Sequence, residues 1–361
     1  MSVTPWAREV RETLALAVPL VLVQLSQMSM SFVDVAMVGR LGTEAMAAIV
    51  LGSTTYFTTT LIGVGVLVAV QPMVSQAVGG GDEAQAARAA RLGLWLAVIL
   101  GAPAVGVFGF SVTLLLAAGQ DPETSALAAE YHRAIRWAFV PNLCFTALRG
   151  LCEGNARPRP VLAVTLVGVG ANAAFNYVLM YGAFGIPAMG LVGTGWSSAL
   201  TTLLMFLLLA AYVRRGPLAR FRVFAGLRQP DLATLRELFR LGWPIGVGFG
   251  LEAGLFMMAT LMVGRLPDQV VALAALQIAL NAASVTFMVP LGIGMAGGIR
   301  VGQAAGAGDL AAAQRAGWTA TASGAGFMAS SAMLFWLAPE AVVWVYAGTT
   351  PPADVATLAA A

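Results

Sequence analysis

The chain alternates long apolar runs with short polar connections. A helix needs roughly 20 apolar residues to cross a hydrocarbon layer about 30 Å thick. Nine runs of suitable length occur, over residues 13–39, 47–72, 90–118, 132–152, 160–182, 190–213, 237–263, 272–299 and 316–337. Most of them lack a charge near the centre, and their glycine and alanine residues allow close packing of helices within a membrane. The pattern predicts an all-α polytopic membrane protein.

Two parts of the chain carry the same sequence pattern. Residues 37–41 (MVGRL) recur 225 positions later as residues 262–266, and each copy closes an apolar stretch that opens at a proline, Pro19 or Pro244. Such internal duplication within an apolar chain is typical of secondary transporters, whose binding sites lie between the repeats.

The similarity continues downstream with a slightly larger offset. Residues 76–82 are echoed 227 positions later by residues 303–309, so the second copy has gained two residues, most simply in the loop at 267–269. Six predicted spans separate the copies. Because six is an even number, both copies enter the membrane in the same direction and are parallel repeats.

The repeat predicts two helical lobes joined by a linker. We expect an N-terminal lobe of six helices at 1–213, an arginine-rich cytoplasmic linker at 214–236 and a second lobe at 237–361. A complete second lobe would also have six helices, whereas this one supplies about three. We therefore expect either a truncated product or a chain from which the last three helices were lost.

Composition and charge agree with a membrane protein and orient it. Hydrophobic residues make up 59% of the chain and charged residues 10%. All 20 basic residues are arginines, and 16 of them, including Arg149 and Arg300, fall in alternate connections that share a side with the N-terminus. The positive-inside rule predicts that this side is cytoplasmic. The arginines are spread over many loops, so we do not expect nucleic-acid binding.

Two acidic residues stand inside predicted spans, whereas nearly all the others lie in loops or at helix ends. They are Asp34 in the first span and Glu252 in the seventh. A lone charge at mid-membrane costs roughly 2.5 to 10 kcal/mol or more, so such acids usually face a protein-lined or wet cavity. There a carboxyl group can bind a proton or a small cation. Two structural roles stay open: Asp34 reaches the outer headgroups, or Glu252 forms a buried pair.

Amide side chains accompany the acids. Asn172 and Asn176 are one turn apart on the fifth span and share a face. Buried amides need hydrogen-bond partners, so this pair either binds a ligand or joins helices. Gln27 is the repeat equivalent of Glu252, which favours a position facing a cavity. The other amides at helical spacing are Gln24, Gln277 and Asn281.

Several of these motifs resemble one transporter family. Residues 34–42 (DVAMVGRLG), preceded by Pro19, are similar to the first helix of the multidrug and toxic compound extrusion (MATE) transporters. The same family is resembled by two further segments, residues 149–154 (RGLCEG) and residues 172–193. The second segment includes Asn172, Asn176 and Tyr177. The resemblance covers essentially the whole chain. It implies twelve helices in two lobes, and export of cationic drugs in exchange for inward Na⁺ or H⁺ by alternating access.

The resemblance also implies roles for individual residues. The acidic site of the family's first lobe corresponds to Asp34 with Asn172 and Asn176, and the seventh-helix acid of its sodium-linked bacterial branch corresponds to Glu252. The remaining candidates for cation or substrate binding are Gln24, Gln27, Tyr177, Gln277 and Asn281. That branch pairs the glutamate with an aspartate on a tenth helix, for which this chain has no counterpart.

The expected partners are small organic cations and the lipid bilayer. The coupling ion is Na⁺ or H⁺, and we expect no cofactor and no metal beyond a Na⁺ at Asp34 or Glu252. We expect a monomer in the bacterial inner membrane, with its N-terminus in the cytoplasm as the arginine distribution predicts.

Three alternatives stay open. A flippase for lipid-linked sugars has a similar architecture, although its cavity should carry basic residues for pyrophosphate, and the predicted mid-membrane positions hold almost none. An inactive truncated product is the second. A membrane enzyme is the third, but the single histidine, His132, and the isolated acids argue against prenyl transfer and proteolysis.

Overall fold

The computed structural model describes residues 5–227, 231–263 and 269–339. Within these residues the chain is helical and contains no strand. The α-helices, numbered in chain order, are α1 Pro5–Val38, α2 Thr43–Val68, α3 Val70–Gly79, α4 Glu83–Val107, α5 Ser111–Ala117, α6 Pro122–Ile135, α7 Phe139–Gly154, α8 Arg159–Tyr181, α9 Gly190–Arg215, α10 Leu232–Val263, α11 Gln269–Gly306 and α12 Leu310–Leu337. Most of the loop at 267–269, where we expect two extra residues, lies outside the described part.

The helices follow the predicted apolar runs. Among the described residues, six segments are long and apolar enough to cross a membrane: Trp6–Leu41, Thr43–Gly79, Glu83–Ala117, Arg159–Tyr181, Gly190–Arg215 and Ala275–Gly306. The run at 132–152 is not one helix, because a short 3-10 turn at Arg136–Ala138 separates α6 from α7. Pro19 and Pro244 lie inside α1 and α10 and do not begin them. The prediction of an all-α polytopic fold is confirmed.

A proline explains the break between α2 and α3. Pro72 has no backbone N–H and cannot donate to the carbonyl of Val68, four residues earlier. Helix α2 accordingly ends at Val68. Helix α3 begins at Val70 and has the proline in its first turn, where prolines are tolerated. The repeat counterpart of Pro72 is Ile299, and α11 runs through that position without a break.

The chain forms two compact units, and the boundary falls inside α1, α10 and α11 and at the start of α12. The larger unit contains residues 26–250 and 302–310, and the other contains the described residues within 1–25, 251–301 and 311–361. The predicted division into lobes at 1–213 and 237–361 stays a prediction.

Glycines let three helices of the larger unit pack closely. Gly150 and Gly154 of α7 lie against Val70 and Val74 of α3, so that a Cβ at Gly154 would approach Val74 Cγ1 to 2.7 Å. Gly93 of α4 lies in the same layer, also against Val70. Helices without side chains at their contacts approach closely and gain van der Waals attraction, which drives helix association in membranes.

The duplicated segments make equivalent contacts. In the larger unit Gly65 packs on Gly246, and in the other unit Gly292 packs on Val21. Gly292 is the repeat equivalent of Gly65, and Gly246 is the repeat equivalent of Val21. The same helix contact therefore occurs twice. Gly65 of the first copy meets Gly246 of the second, and Gly292 of the second copy meets Val21 of the first.

An ion pair joins two helices of the smaller unit. Arg300 of α11 donates from Nε and Nη2 to the two carboxylate oxygens of Glu9 on α1, both at 2.9 Å, and Nη2 also lies 2.6 Å from Glu12 Oε2. The sequence analysis counted Arg300 with the loop residues. The structure places it inside α11, because the helix continues to Gly306.

The first part of the predicted linker is folded against α4. Leu218, Phe221 and Val223 are buried. Arg91 Nε donates to the carbonyl of Val223 at 3.2 Å, and Trp95 Nε1 donates to the carbonyl of Leu227 at 2.8 Å. The two side chains satisfy backbone carbonyls of a segment whose regular structure is limited to two short 3-10 turns, Ala219–Phe221 and Val223–Gly226.

Aspartates begin three of the helices. Asp82 is the N-cap of α4, and its carboxylate accepts a hydrogen bond from the backbone N–H of Gln85 at 2.7 Å. Asp121 caps α6 in the same way through Thr124. Asp231, at the start of α10, accepts from the Thr234 hydroxyl at 2.7 Å and from the Ala233 N–H at 3.0 Å.

The cap at Asp231 predicts a pH-dependent contribution to stability. Hydrogen bonds from the Thr234 side chain and the Ala233 backbone hold the pKa of the Asp231 carboxyl below its usual range. A lowered folded-state pKa stabilises the fold above the unfolded pKa, and the contribution is lost as pH falls through the folded pKa. We expect Asp231→Ala to lower the melting temperature at neutral pH and the difference from wild type to shrink at pH about 3. A melting-temperature difference between Asp231→Ala and wild type that is the same at low and at neutral pH would contradict this account.

Candidate cation site

A cluster of polar side chains lies inside the larger unit, where α1, α8 and α9 meet. Asp34 of α1 is its centre. Asn172 Nδ2 and Asn176 Nδ2, one turn apart on α8, donate to Asp34 Oδ1 at 3.1 and 2.6 Å. The hydroxyl of Ser198 on α9 lies 3.3 Å from Asp34 Oδ2 and donates to it. The structure thus brings together three predicted residues and one that the sequence analysis did not select.

Neighbouring contacts fix the helices that carry the cluster. The Ser197 hydroxyl donates to the backbone carbonyl of Asn172 at 3.0 Å, which ties α9 to α8. The Tyr181 hydroxyl donates to the carbonyl of Met37 at 2.8 Å, which ties the end of α8 to α1. Asn172 and Asn176 are 1% and 0% exposed, so both amides are held inside the protein.

The charge of Asp34 is not balanced by its hydrogen-bond partners. In the described part of the chain its three partners are two amides and a hydroxyl, none of which is charged. In addition, Asn176 Oδ1 is buried and has no hydrogen-bond partner there. A buried acceptor without a donor is destabilising. A small cation would be attracted by the carboxylate and could also bind this oxygen.

The oxygen atoms suit two kinds of positive ion. Carboxylate, amide and hydroxyl oxygens are the ligands that hard cations prefer. A proton can instead bind to the carboxylate directly and remove its charge. The cluster therefore has the chemistry to hold either Na⁺ or H⁺ inside a membrane-spanning segment.

A second polar contact holds α1 about two turns before Asp34. Arg149 Nε donates to Glu153 Oε1 at 2.6 Å, and Arg149 Nη1 donates to Gln27 Oε1 at 3.3 Å. The Arg149 and Glu153 side chains are 12% and 2% exposed. The sequence analysis counted Arg149 with a cytoplasmic loop, whereas α7 continues to Gly154 and carries Arg149 within its last two turns. Gln27 thus contacts a buried ion pair.

The remaining predicted residues lie elsewhere. Tyr177 is adjacent to the cluster in sequence, but it is 59% exposed and its ring packs edge-on against Tyr181. Gln24, Glu252, Gln277 and Asn281 belong to the other unit. Within that unit Glu252 and Gln277 are exposed, and Gln24 and Asn281 are half-buried. Their roles in binding stay predictions.

His132 is the first residue of the predicted apolar run at 132–152, but it does not begin a helix. It lies in the last turn of α6 and is 1% exposed. Its Nε2 is 3.0 Å from the carbonyl oxygen of Gly52, and its ring packs against Phe108. The difference arises because α6 begins ten residues earlier, at Pro122, where Asp121 caps it.

Ser198 carried no sequence signal that would have selected it. Hydroxyl side chains in apolar helices commonly donate to a carbonyl of the preceding turn. Thr202 does so, with its hydroxyl 3.0 Å from the carbonyl of Ser198. Helix α9 also contains Ser197, Thr201 and Thr202, and nothing in its sequence distinguishes Ser198 as the hydroxyl that donates to Asp34.

Comparison with known proteins identifies close relatives in sequence. The MatE family model matches residues 19–178 and 244–361. A "Probable multidrug resistance protein NorM" from Bradyrhizobium diazoefficiens is 44% identical over 315 residues, which cover 87% of this chain and 67% of the relative. Proteins of the same name from Rhizobium meliloti and Pseudomonas aeruginosa are 39% and 40% identical, covering 98% and 97% of this chain and 76% and 72% of the relatives.

Solved structures show the same fold at lower identity. The eukaryotic MATE transporter AtDTX14 superposes with a TM-score of 0.83 at 19% identity, covering 98% of this chain and 78% of that protein. A MOP superfamily transporter from Pyrococcus furiosus gives a TM-score of 0.83 at 18% identity, covering 100% of this chain and 80% of that protein.

Proposed function

The chain belongs to the MatE family and is a multi-pass membrane protein, and we propose that it exports organic cations in exchange for an inward-moving Na⁺ or H⁺. Its relatives are named as probable multidrug resistance proteins, which supports transport of varied drugs. The observation that carries the exchange mechanism is the Asp34 cluster, in which a carboxylate within a membrane-spanning helix has only uncharged partners in the described part of the chain.

Exchange requires that the coupling ion and the substrate compete for one charge. When the site opens outwards, Na⁺ or H⁺ binds Asp34 and neutralises it, so a bound cationic substrate loses its counter-ion and leaves. When the site opens to the cytoplasm, the ion dissociates and the carboxylate attracts another organic cation. A ligand shifts this equilibrium only as far as its affinities for the two states differ. Asp34 supplies that difference because its charge changes at each step.

Coupling ion and orientation belong to the same proposal. Asn176 Oδ1 and Ser198 Oγ give a Na⁺ oxygen ligands beside the carboxylate, while protonation of the carboxylate alone suffices for H⁺. We place the protein in the bacterial inner membrane as a monomer, and the arginine distribution supports a cytoplasmic N-terminus.

Gradient-driven efflux tests the proposal. The protein, reconstituted in liposomes, is expected to move ethidium against an imposed Na⁺ or pH gradient, and dissipating the effective gradient with an ionophore should stop the movement. Separate Na⁺ and pH gradients identify the coupling ion. Ethidium movement that is independent of both gradients would contradict the exchange mechanism.

Glu252→Gln extends this test to the second candidate acid. Removal of the carboxylate should abolish ion-driven ethidium efflux if Glu252 takes part in ion binding. The variant keeps the size and shape of the side chain, so its expression and melting temperature should match the wild type. Unaltered efflux would remove Glu252 from the mechanism and leave Asp34 as the coupling residue.

A further inference from the structure

The duplicated segments contact each other directly in the larger unit. Gly79, near the end of α3, lies against the backbone carbonyl of Gln303, and Gly306, at the end of α11, lies against the backbone carbonyl of Gln76. Gln303 and Gly306 are the repeat equivalents of Gln76 and Gly79. The contact is therefore reciprocal, since each copy presents its glycine to the glutamine carbonyl of the other. We call residues 75–80 and 302–306 the glycine seam.

The glycine seam leaves no space between the two backbones. A Cβ at Gly79 or Gly306 would overlap the opposing carbonyl group, and a Cβ at Gly302 would overlap the Ser75 hydroxyl. The contact is thus made by backbone atoms, and neither substrate nor water fits between the segments where they touch.

We propose that the glycine seam is the cytoplasmic closure of the transport pathway and that it parts in each cycle. The proposal rests on the proposed exchange function. Both segments lead into turns at residues 80–82 and 306–309, which are followed by Arg88 and Arg315 on the side predicted to be cytoplasmic. Alternating access requires a closure at this end whenever the site is open to the outside.

One side of the seam is firmly attached to its own helices. Val70 and Val74 of α3 interlock with Gly150 and Gly154 of α7, so α3 and α7 should move as one piece. Contacts of this kind have a single well-packed arrangement, and separating them would leave voids in the protein interior.

The contact across the seam is of a weaker kind. Neither segment contains a charged residue. Close approach of a glycine Cα to a carbonyl oxygen gives weak hydrogen bonds, each worth much less than an N–H to oxygen bond. A side-chain hydrogen bond also crosses it, from Gln303 Nε2 to the carbonyl of Gly154 at 3.0 Å. Such a surface can hold two backbones together and still separate without the cost of breaking an ion pair.

A reversible cross-link tests whether the seam parts. A Cβ at Gly302 would lie 3.0 Å from Ser75 Cβ, and disulfides need about 3.5–4.5 Å, so a small shift allows a bond between Ser75→Cys and Gly302→Cys. We expect oxidation of the double variant to reduce ethidium efflux to the level of empty liposomes and a reductant to restore it. Unchanged efflux in the fully cross-linked protein would overturn the proposal and identify the seam as static packing.

The controls separate this result from failure of the proposed function. Wild type and the Ser75→Cys single variant, treated with the same oxidant, should keep their efflux, because the native Cys144 and Cys152 are buried. If these controls do not move ethidium, the exchange function itself fails, whereas loss confined to the oxidised double variant concerns the seam.

Labelling gives a second measurement that needs only a conservative substitution. Ser75 is fully buried, so Ser75→Cys should react with a membrane-impermeant maleimide from the cytoplasmic side only while the seam is open. We expect labelling to rise at least about tenfold during turnover relative to protein held without a gradient, the signature of a shifted two-state population. Labelling that does not change during active efflux would overturn the proposal even if the double variant fails to fold.

Discussion

Replacing Asp34 with asparagine should abolish ion-driven ethidium efflux while leaving the protein folded. Asparagine has nearly the same size as aspartate and retains an oxygen that can accept from Asn172, Asn176 or Ser198. It carries no charge and does not bind a proton or Na⁺ as a carboxylate does. The exchange between coupling ion and organic cation therefore loses its shared charge, and efflux should fall to the level of empty liposomes.

A matched control and a second readout make this test specific. Glu123→Gln is the same change of carboxylate to amide at an exposed position in the first turn of α6, and it should leave efflux unchanged. The melting temperature of Asp34→Asn should remain at or above that of the wild type, because a charge without a charged partner has been removed from a membrane-spanning helix. Efflux at the wild-type rate in Asp34→Asn would remove the cluster from the mechanism.

The second large effect is expected at the Arg149–Glu153 pair. Arg149→Met leaves a carboxylate that is 2% exposed without its arginine partner. Removing one member of a buried ion pair typically costs about 3–5 kcal/mol, because the remaining charge keeps its desolvation penalty. We expect a clear drop in melting temperature in detergent, and part of the stability should return when Glu153 is also replaced, in Arg149→Met/Glu153→Gln.

An exposed pair of the same spacing supplies the comparison. Arg8 and Glu12 on α1 are also four residues apart and 2.8 Å from each other, but their side chains are 77% and 35% exposed. Surface pairs contribute about 0–1 kcal/mol, so Arg8→Met should change the melting temperature little. Equal decreases in melting temperature for Arg149→Met and Arg8→Met would show that burial does not make the loss of the arginine partner more destabilising.

The helical architecture could be predicted because a membrane restricts the choices of the chain. Backbone groups in hydrocarbon must bond within their own segment, so a long apolar run there implies a helix. The places where prediction failed are interruptions that hydropathy does not register. The run at 132–152 stays apolar through Arg136–Ala138, although the backbone turns there. The break at Ala69 falls inside another run and depends on a missing N–H at Pro72.

The sequence allowed candidate residues to be chosen within each helix, but not the contacts that they make between helices. Asp34 is unusual as an acid within a span, and Asn172 and Asn176 share a helical face, so each signal is visible locally. Contacts between helices depend on which faces meet, and a single sequence does not contain that information. For this reason Ser198 was missed, and Arg149, which donates to Gln27 from 122 positions away, was assigned to a loop.

The proline break after α2 has a consequence for how the duplicated chain has diverged. One of the two related segments has a break at Ala69 between α2 and α3, whereas α11 of the other continues through Ile299 without a break. Each copy therefore carries a proline that the other lacks, because α11 contains Pro290 where the first copy has Gly63. Ile299→Pro would remove the equivalent backbone N–H from α11, and the expected consequence is a break near Ala296, the repeat equivalent of Ala69.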